Sequence, residues 1–247
     1  DVVLAQDVGE AVRPTGVAQQ DHRVGAGSAK VFGQSSDIAG VRRRRTSGHV
    51  NGGSVRVDLT HLDQGALLEA CGEGVDRFSV GDRVWGSNQG LLGRPGTFSE
   101  LAAVDQQWLY LAPDGVASEF LAAGALVGLT AHLGLFLHAG VGQGDLVFVN
   151  GGTGGVGASV VQLAKGAGAR VAASVGSTEK QEICRSLGAD LVVDHHDPDM
   201  DRTLAEFAAG NGGIDVWFET LREPTCERTI ELMTKRGRIV LMAGRAA

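Results

Sequence analysis

The stretch LVFVNGGTGGVGASVVQLAKGAGARV, residues 146–171, decides the fold. Residues 146–150, LVFVN, form a short apolar run of the kind that makes a strand buried on both faces. Residues 156–169 place apolar side chains at 156, 160, 163, 164 and 167, which is helical spacing. Between the two lies Gly152-Thr153-Gly154-Gly155-Val156-Gly157, a GxGxxG pattern in a strand-turn-helix frame. That context is what the dinucleotide-binding fingerprint requires. Gly152 is expected to permit the tight turn, Gly154 to leave out a Cβ that would block a pyrophosphate, and Gly157 to let the helix pack closely on the sheet. Free N–H groups along 152–157, at the positive end of the helix, would then hold the phosphates.

Downstream the alternation continues. RVAASV (170–175) reads as a strand and STEKQEICRSLG (177–188) as a helix, with Thr178 and Gln181 at capping-box spacing and Gly188 as its stop. LVVD (191–194) is a strand, RTLAEFAAG (202–210) a helix, and IDVWFE (214–219) a strand. Pro224 suits the first turn of a helix running through Ile230 and Met233, before the strand RIVLMAG (238–244). Repeated strand-helix-strand units imply right-handed crossovers and a doubly wound parallel sheet, the α/β Rossmann architecture. Upstream, VDRFSVGDRVW (75–85), GTFSELAAV (96–104) and WLYLAP (108–113) read as strand material. The expected division is a β-rich domain over 1–114 and a dinucleotide-binding domain over 115–247.

Residues 120–137, FLAAGALVGLTAHLGLFL, contain no Lys, Arg, Asp or Glu. Their length suits a membrane span, and Gly124 and Gly128 have the spacing of a helix-dimer face. The flanking charges are acidic (Glu119 and Asp145), and no cation lies nearer than Arg94 and Lys165. A positive-inside anchor is therefore lacking. The expectation is a buried, glycine-bearing helix of a soluble core.

Composition narrows the class. The chain has 38 glycines in 247 residues, about 15% against a usual figure of roughly 7%. A net charge of −7 argues against a dedicated nucleic-acid binder. Cys71, Cys184 and Cys226 are far apart with no CxxC, so neither a disulfide scaffold nor a four-cysteine zinc site is expected. The usage fits a reducing cytoplasm, and no signal-peptide pattern opens the chain. Residues 1–60 have a different texture: nine glycines, few large apolar residues, and Arg42-Arg43-Arg44-Arg45, which reads as a solvated run.

The run 147–171 resembles the medium-chain dehydrogenase/reductase superfamily, and within it the zinc-independent quinone reductases of the zeta-crystallin type. GEGVDRFSVGDRVW, GTFSELAAV, GLTAH (128–132), SLGADLVVDH, GIDVWFETL and RGRIVLMAG agree with that type in order and spacing, so the resemblance spans about residues 61–247. It implies a GroES-like substrate domain before a Rossmann cofactor domain, and delivery of a hydride or electrons from NADPH to a quinone or related conjugated carbonyl. Residues 1–60 match the GroES-like pattern poorly, as an out-of-frame or damaged reading would, and Thr46-Ser47-Gly48 stands where the family has arginine-serine-glycine. Members also continue past the position of Ala247, so the chain is expected to be C-terminally truncated. Members lacking a glycine-histidine-glutamate motif bind no catalytic zinc, and this chain has none before the glycine motif. The resemblance places Thr130 beside the nicotinamide ring, and Thr225, Met242, Ala243 and Gly244 near the nicotinamide half. It gives His195 a cofactor contact and implies dimers or tetramers through the edge strand at 238–244.

The choice of NADPH over NADH also has a reading in the residues. NAD sites place an acid about 20 residues past the glycine motif. Here the second strand ends in Ser174-Val175-Gly176-Ser177, and Glu179 falls in the next helix's first turn. A 2′-phosphate would meet the N–H groups and hydroxyl at Gly176 and Ser177, with Lys180 supplying charge. No nucleophile or acid/base pair stands out, so no catalytic residue is assigned. Two alternatives stay open: an enoyl or enone reductase on the same scaffold, and a non-catalytic NADPH-binding protein of crystallin-like or RNA-binding type.

Overall fold

The computed structural model describes residues 2–4, 53–58, 66–87, 89–90, 93–94, 96–97, 99–221 and 226–242. Arg42–Arg45, Thr225, Ala243 and Gly244 lie outside the described residues. The chain divides into two compact units, one running from Val127 onward together with the first strand, the other holding the residues up to Leu126.

The first strand, β1, is Val2–Leu4. The unit up to Leu126 follows with β2 (Ser54–Asp58), β3 (Ala66–Cys71), β4 (Arg83–Gly86), β5 (Leu101–Asp105) and β6 (Leu109–Leu111). These form an antiparallel sheet in the order β5-β2-β3-β4-β6. Val55, Val57, Leu68, Val84, Ala102 and Val104 alternate inward and bury a small core with Phe78. Residues 75–80, expected as a strand, form an irregular loop instead. The Asp82 carboxylate accepts from the Ser79 N–H at 2.8 Å, and Val75 N donates to Gly72 O, so the local backbone bonds close on themselves.

The second unit carries α1 (Ser118–His132), β7 (Leu146–Asn150), α2 (Gly155–Gly166), β8 (Arg170–Val175), α3 (Thr178–Ser186), β9 (Leu191–Asp194), α4 (Met200–Ala208), β10 (Ile214–Glu219), α5 (Cys226–Glu231) and β11 (Met233–Leu241), with α1 entering it at Val127. Its strands form one parallel sheet ordered β1-β11-β10-β7-β8-β9. Counted from β7, this is the doubly wound order 3-2-1-4-5, with β1 in the sixth place. Two apolar layers cover the sheet: Leu135, Val160, Val161 and Cys184 lie among the core on one face, Met200, Leu204 and Trp217 on the other.

Four sequence expectations are corrected here. The cap of α3 is Ser177, whose hydroxyl accepts from Lys180 N, so Thr178 is the first helical residue and not the capping residue. Met233 is in β11, not in the preceding helix. Ile214 N bonds Leu232 O, and Met233 pairs with Ile214, which draws the chain into the sheet early. The register then slips, so that Val216 faces Arg238. The edge strand on that side is β1, which pairs with Ile239–Leu241, so that part of the expected edge strand at 238–244 is not a free edge there. Last, the apolar run 120–137 is not a buried helix: 17% of the apolar stretch within Ser118–His138 is buried, and Phe120, Leu126 and Leu137 are exposed. Only its C-terminal part meets the sheet. Gly134, in a π-helical turn at Leu133–His138, admits the Phe218 ring so closely that a Cβ there would lie 2.6 Å from it. This is the one described helix long and apolar enough to cross a membrane.

Candidate functional site

In a doubly wound sheet the ligand crevice opens at the carboxyl ends of the strands, where the order reverses. That point falls between β7 and β10, because β8 and β9 lie on one side of β7 and β10 and β11 on the other.

The turn leaving β7 is built by four glycines with different tasks. Gly151 has φ 89° and makes the left-handed bend, the task expected of Gly152. Gly152 is needed for space: a Cβ there would lie 2.7 Å from Ala173 Cβ and 2.8 Å from Cys184 Sγ. Gly157 brings α2 against the turn, since its Cβ would overlap the Gly151 carbonyl. Gly154 is different. Its Cβ would meet only Gly151 O, at 3.5 Å, so this side of the turn is open. Gly154 is also the N-cap of α2, and no side chain caps that helix. The first N–H groups of α2, at Gly155, Val156 and Gly157, therefore lack intrahelical partners. An open cradle, free donors and a positive helix end fit a pyrophosphate. The Val156 side chain packs on the core while Thr153 is half-buried. A Cβ on Gly155 would lie 3.1 Å from Val127 Cγ1, so α1 passes the turn there. Thr130, half-buried, follows one turn later on α1.

At the end of β8, Gly176 and His195 come together: a Gly176 Cβ would lie 2.7 Å from His195 Cε1. His195 N donates to Val175 O, and its ring sits 4.1 Å from that of His196. The Ser177 hydroxyl caps α3, Lys180 is exposed, and Glu179 lies in the first turn of α3. No carboxylate stands at the tip of β8 itself. Met242 follows β11, half-buried, with its N–H donating to Glu219 O.

Sequence reasoning missed three polar residues at one level of the sheet. Asn150 and Glu219 end β7 and β10, Ser174 is the last residue but one of β8, and Asn150 pairs in register with both of the others. Ser174 is fully buried and Glu219 is 3% exposed. The signal was available: each is a polar residue at or next to the carboxyl end of a mostly apolar strand, the end where such sheets bind ligands.

Cys184 is buried and its thiol is pushed up to about 11 by that burial, against a small opposing pull from Arg185, so it is unsuited to nucleophilic work. Among the described residues no three His, Cys, Asp or Glu side chains cluster to hold a metal.

Residues 155–247 match the family model described as zinc-binding dehydrogenase. The quinone oxidoreductase of Sus scrofa is 30% identical over 184 residues, 74% of this chain and 54% of that protein. The chain thus spans about half the length of such relatives. An alcohol dehydrogenase superfamily protein from Novosphingobium aromaticivorans superposes with a TM-score of 0.73 at 29% identity, covering 83% of this chain and 69% of that one. A mycobacterial protein solved with NADPH superposes with a TM-score of 0.68 at 25% identity, covering 83% of this chain and 70% of its own.

Proposed function

We propose that this chain, a member of the medium-chain dehydrogenase/reductase superfamily, belongs to an oxidoreductase that uses NADPH to reduce a quinone or related conjugated carbonyl without zinc. One observation carries the reading: the open face of Gly154 at the uncapped start of α2, at the point where the strand order reverses. In this reading residues 115–247 hold the dinucleotide and residues 1–114 belong to the substrate side. The protein acts in the cytoplasm on a small molecule.

The bound cofactor would supply the reducing equivalents. The chain's own residues bind and orient it. N–H groups of Gly155, Val156 and Gly157 hold the pyrophosphate. Gly176, Ser177, Lys180 and His195 surround the 2′-phosphate, and Thr130, Thr225, Met242, Ala243 and Gly244 line the nicotinamide half. Reduced quinone takes its protons from water, so no acid/base pair is required of the protein, whose contribution is positioning.

The test is NADPH oxidation by metal-free protein with a quinone and with an enone as acceptors. Quinone turnover without zinc supports the proposal. Turnover of the enone alone favours the enoyl-reductase alternative, and NADPH binding without turnover favours a non-catalytic role. Stoichiometric zinc by elemental analysis would overturn the zinc-free reading.

A further inference from the structure

A chain of hydrogen bonds crosses the sheet at the level where the crevice opens. Gly151 N donates to Ser174 Oγ at 3.1 Å, and Ser174 Oγ donates to Asn150 Oδ1 at 2.5 Å. Asn150 Nδ2 donates to Glu219 Oε2 at 2.9 Å. From the other side, Leu221 N donates to Glu219 Oε1 at 2.8 Å. Trp217 Nε1 also donates to Glu219 Oε2, at 3.2 Å. The relay joins the first residue of the glycine-rich turn to the turn leaving β10, and those turns are the two walls of the crevice. Beside it, the Thr220 hydroxyl and N–H both donate to Asn150 O.

Glu219 is matched to this place. Three donors face its two carboxylate oxygens, and it is 3% exposed. A carboxylate is costly to bury and is tolerated where donors surround it. An apolar residue would continue the strand as well as Phe218 does, but would leave the buried Trp217 N–H and the part-buried donors of Asn150 and Leu221 without this acceptor. The carboxylate is therefore the common acceptor that fixes both walls in one register.

We propose that Glu219, acting through Asn150 and Ser174, is a positioning residue for the dinucleotide: it sets the separation of the glycine-rich turn and the turn after β10, so that one molecule can be held by both. The inference rests on the NADPH reading above and adds to it the residues that preorganise the crevice. A ligand spanning both walls should depend on the relay. A ligand confined to the β8 side should not, because Gly152 N stays bonded to Ser174 O at 2.9 Å through the backbone.

The experiment measures binding of NADPH and of 2′,5′-ADP by calorimetry, with thermal unfolding, for the wild type, Glu219→Gln, Asn150→Asp and the double variant. Glu219→Gln turns an N–H toward one of the donors, and Asn150→Asp sets two carboxylates face to face. In the double variant the amide introduced on β10 can donate to the carboxylate introduced on β7. Ser174 still donates to that carboxylate, so the link between β7 and β10 is restored with reversed polarity, and the donor left without its acceptor is Trp217 Nε1. Each single change should weaken NADPH about tenfold, the scale of one unmatched buried group, while 2′,5′-ADP stays within about twofold. The double variant should recover most of the NADPH loss. NADPH binding unchanged in the singles, equal losses for both ligands, or no recovery in the double would overturn the inference. Should Glu219→Gln fail to fold, Asn150→Asp against the double variant decides the matter. A wild type that binds no NADPH overturns the cofactor reading, and the inference with it; wild-type binding with indifferent variants overturns the inference alone.

Discussion

A Cβ on Gly157 would lie 2.9 Å from the carbonyl carbon of Gly151, and closer still to its oxygen, so the first turn of α2 and the turn leaving β7 touch backbone to backbone. No rotamer relieves such a clash. Gly157→Ala should therefore shift the turn and cost about 2 kcal/mol of stability, with loss of NADPH binding. Denaturant unfolding and calorimetry would show both together.

Gly154→Ala should behave differently. Gly154 has φ −66°, which alanine adopts freely, and its Cβ would meet only one atom, at 3.5 Å. Stability should fall by less than about 1 kcal/mol, the scale of an N-cap exchange. The added methyl enters the space assigned to the pyrophosphate, so affinity for NADPH and NADH should both fall at least about tenfold. Affinity preserved in this variant would remove the turn from the cofactor site.

Lys180 is exposed beside the Ser177 cap. Lys180→Ala should weaken NADPH by about 1–2 kcal/mol and leave NADH nearly unchanged, as expected for a charge-assisted contact to the 2′-phosphate alone. The difference should shrink as salt is raised. Titrating both cofactors into both proteins provides the check, and a wild type that prefers NADH would contradict the assignment.

Asp190 supplies a pH dependence. Partial burial works against its ionised form, but the Val171 N–H at 2.7 Å and the Lys165 ammonium at 2.9 Å outweigh that and hold its carboxyl below the ordinary value. A depressed folded-state pKa contributes stability that is complete above the unfolded value of about 4 and is lost as pH falls through the folded value. Asp190→Asn should cost at most about 1 kcal/mol at pH 7, since the pair is partly solvated. The gap to wild type should close in strong acid, as denaturant unfolding at two pH values would reveal.

The strands of the parallel sheet were legible because each is a short apolar run buried on both faces: 146–150, 170–175, 191–194 and 214–219 coincide with β7, β8, β9 and β10. The antiparallel unit was less legible. Its β2 lies between the nearby β3 and the distant β5, and residues 75–80 alternate like a strand but make no ladder, the Asp76 N–H going to the Gln106 side chain and the Ser79 N–H to Asp82. Helix ends were misread by a residue or more where a cap or a register slip, both local geometric choices, set the boundary.

Within 146–171 the residues by themselves determined a strand, a glycine turn and a helix, because apolar periodicity and the absence of side chains act locally. They did not determine which glycine does what. Gly151 bends the chain only because Gly152 is held against Ala173 and Cys184, which arrive from β8 and α3. Likewise Asn150, Ser174 and Glu219 are unconnected polar residues in three separate strands until parallel pairing sets them side by side. Their meaning depends on register, and register is settled by the packing of the whole sheet, through contacts such as that of Asn150 with Glu219, 69 positions away.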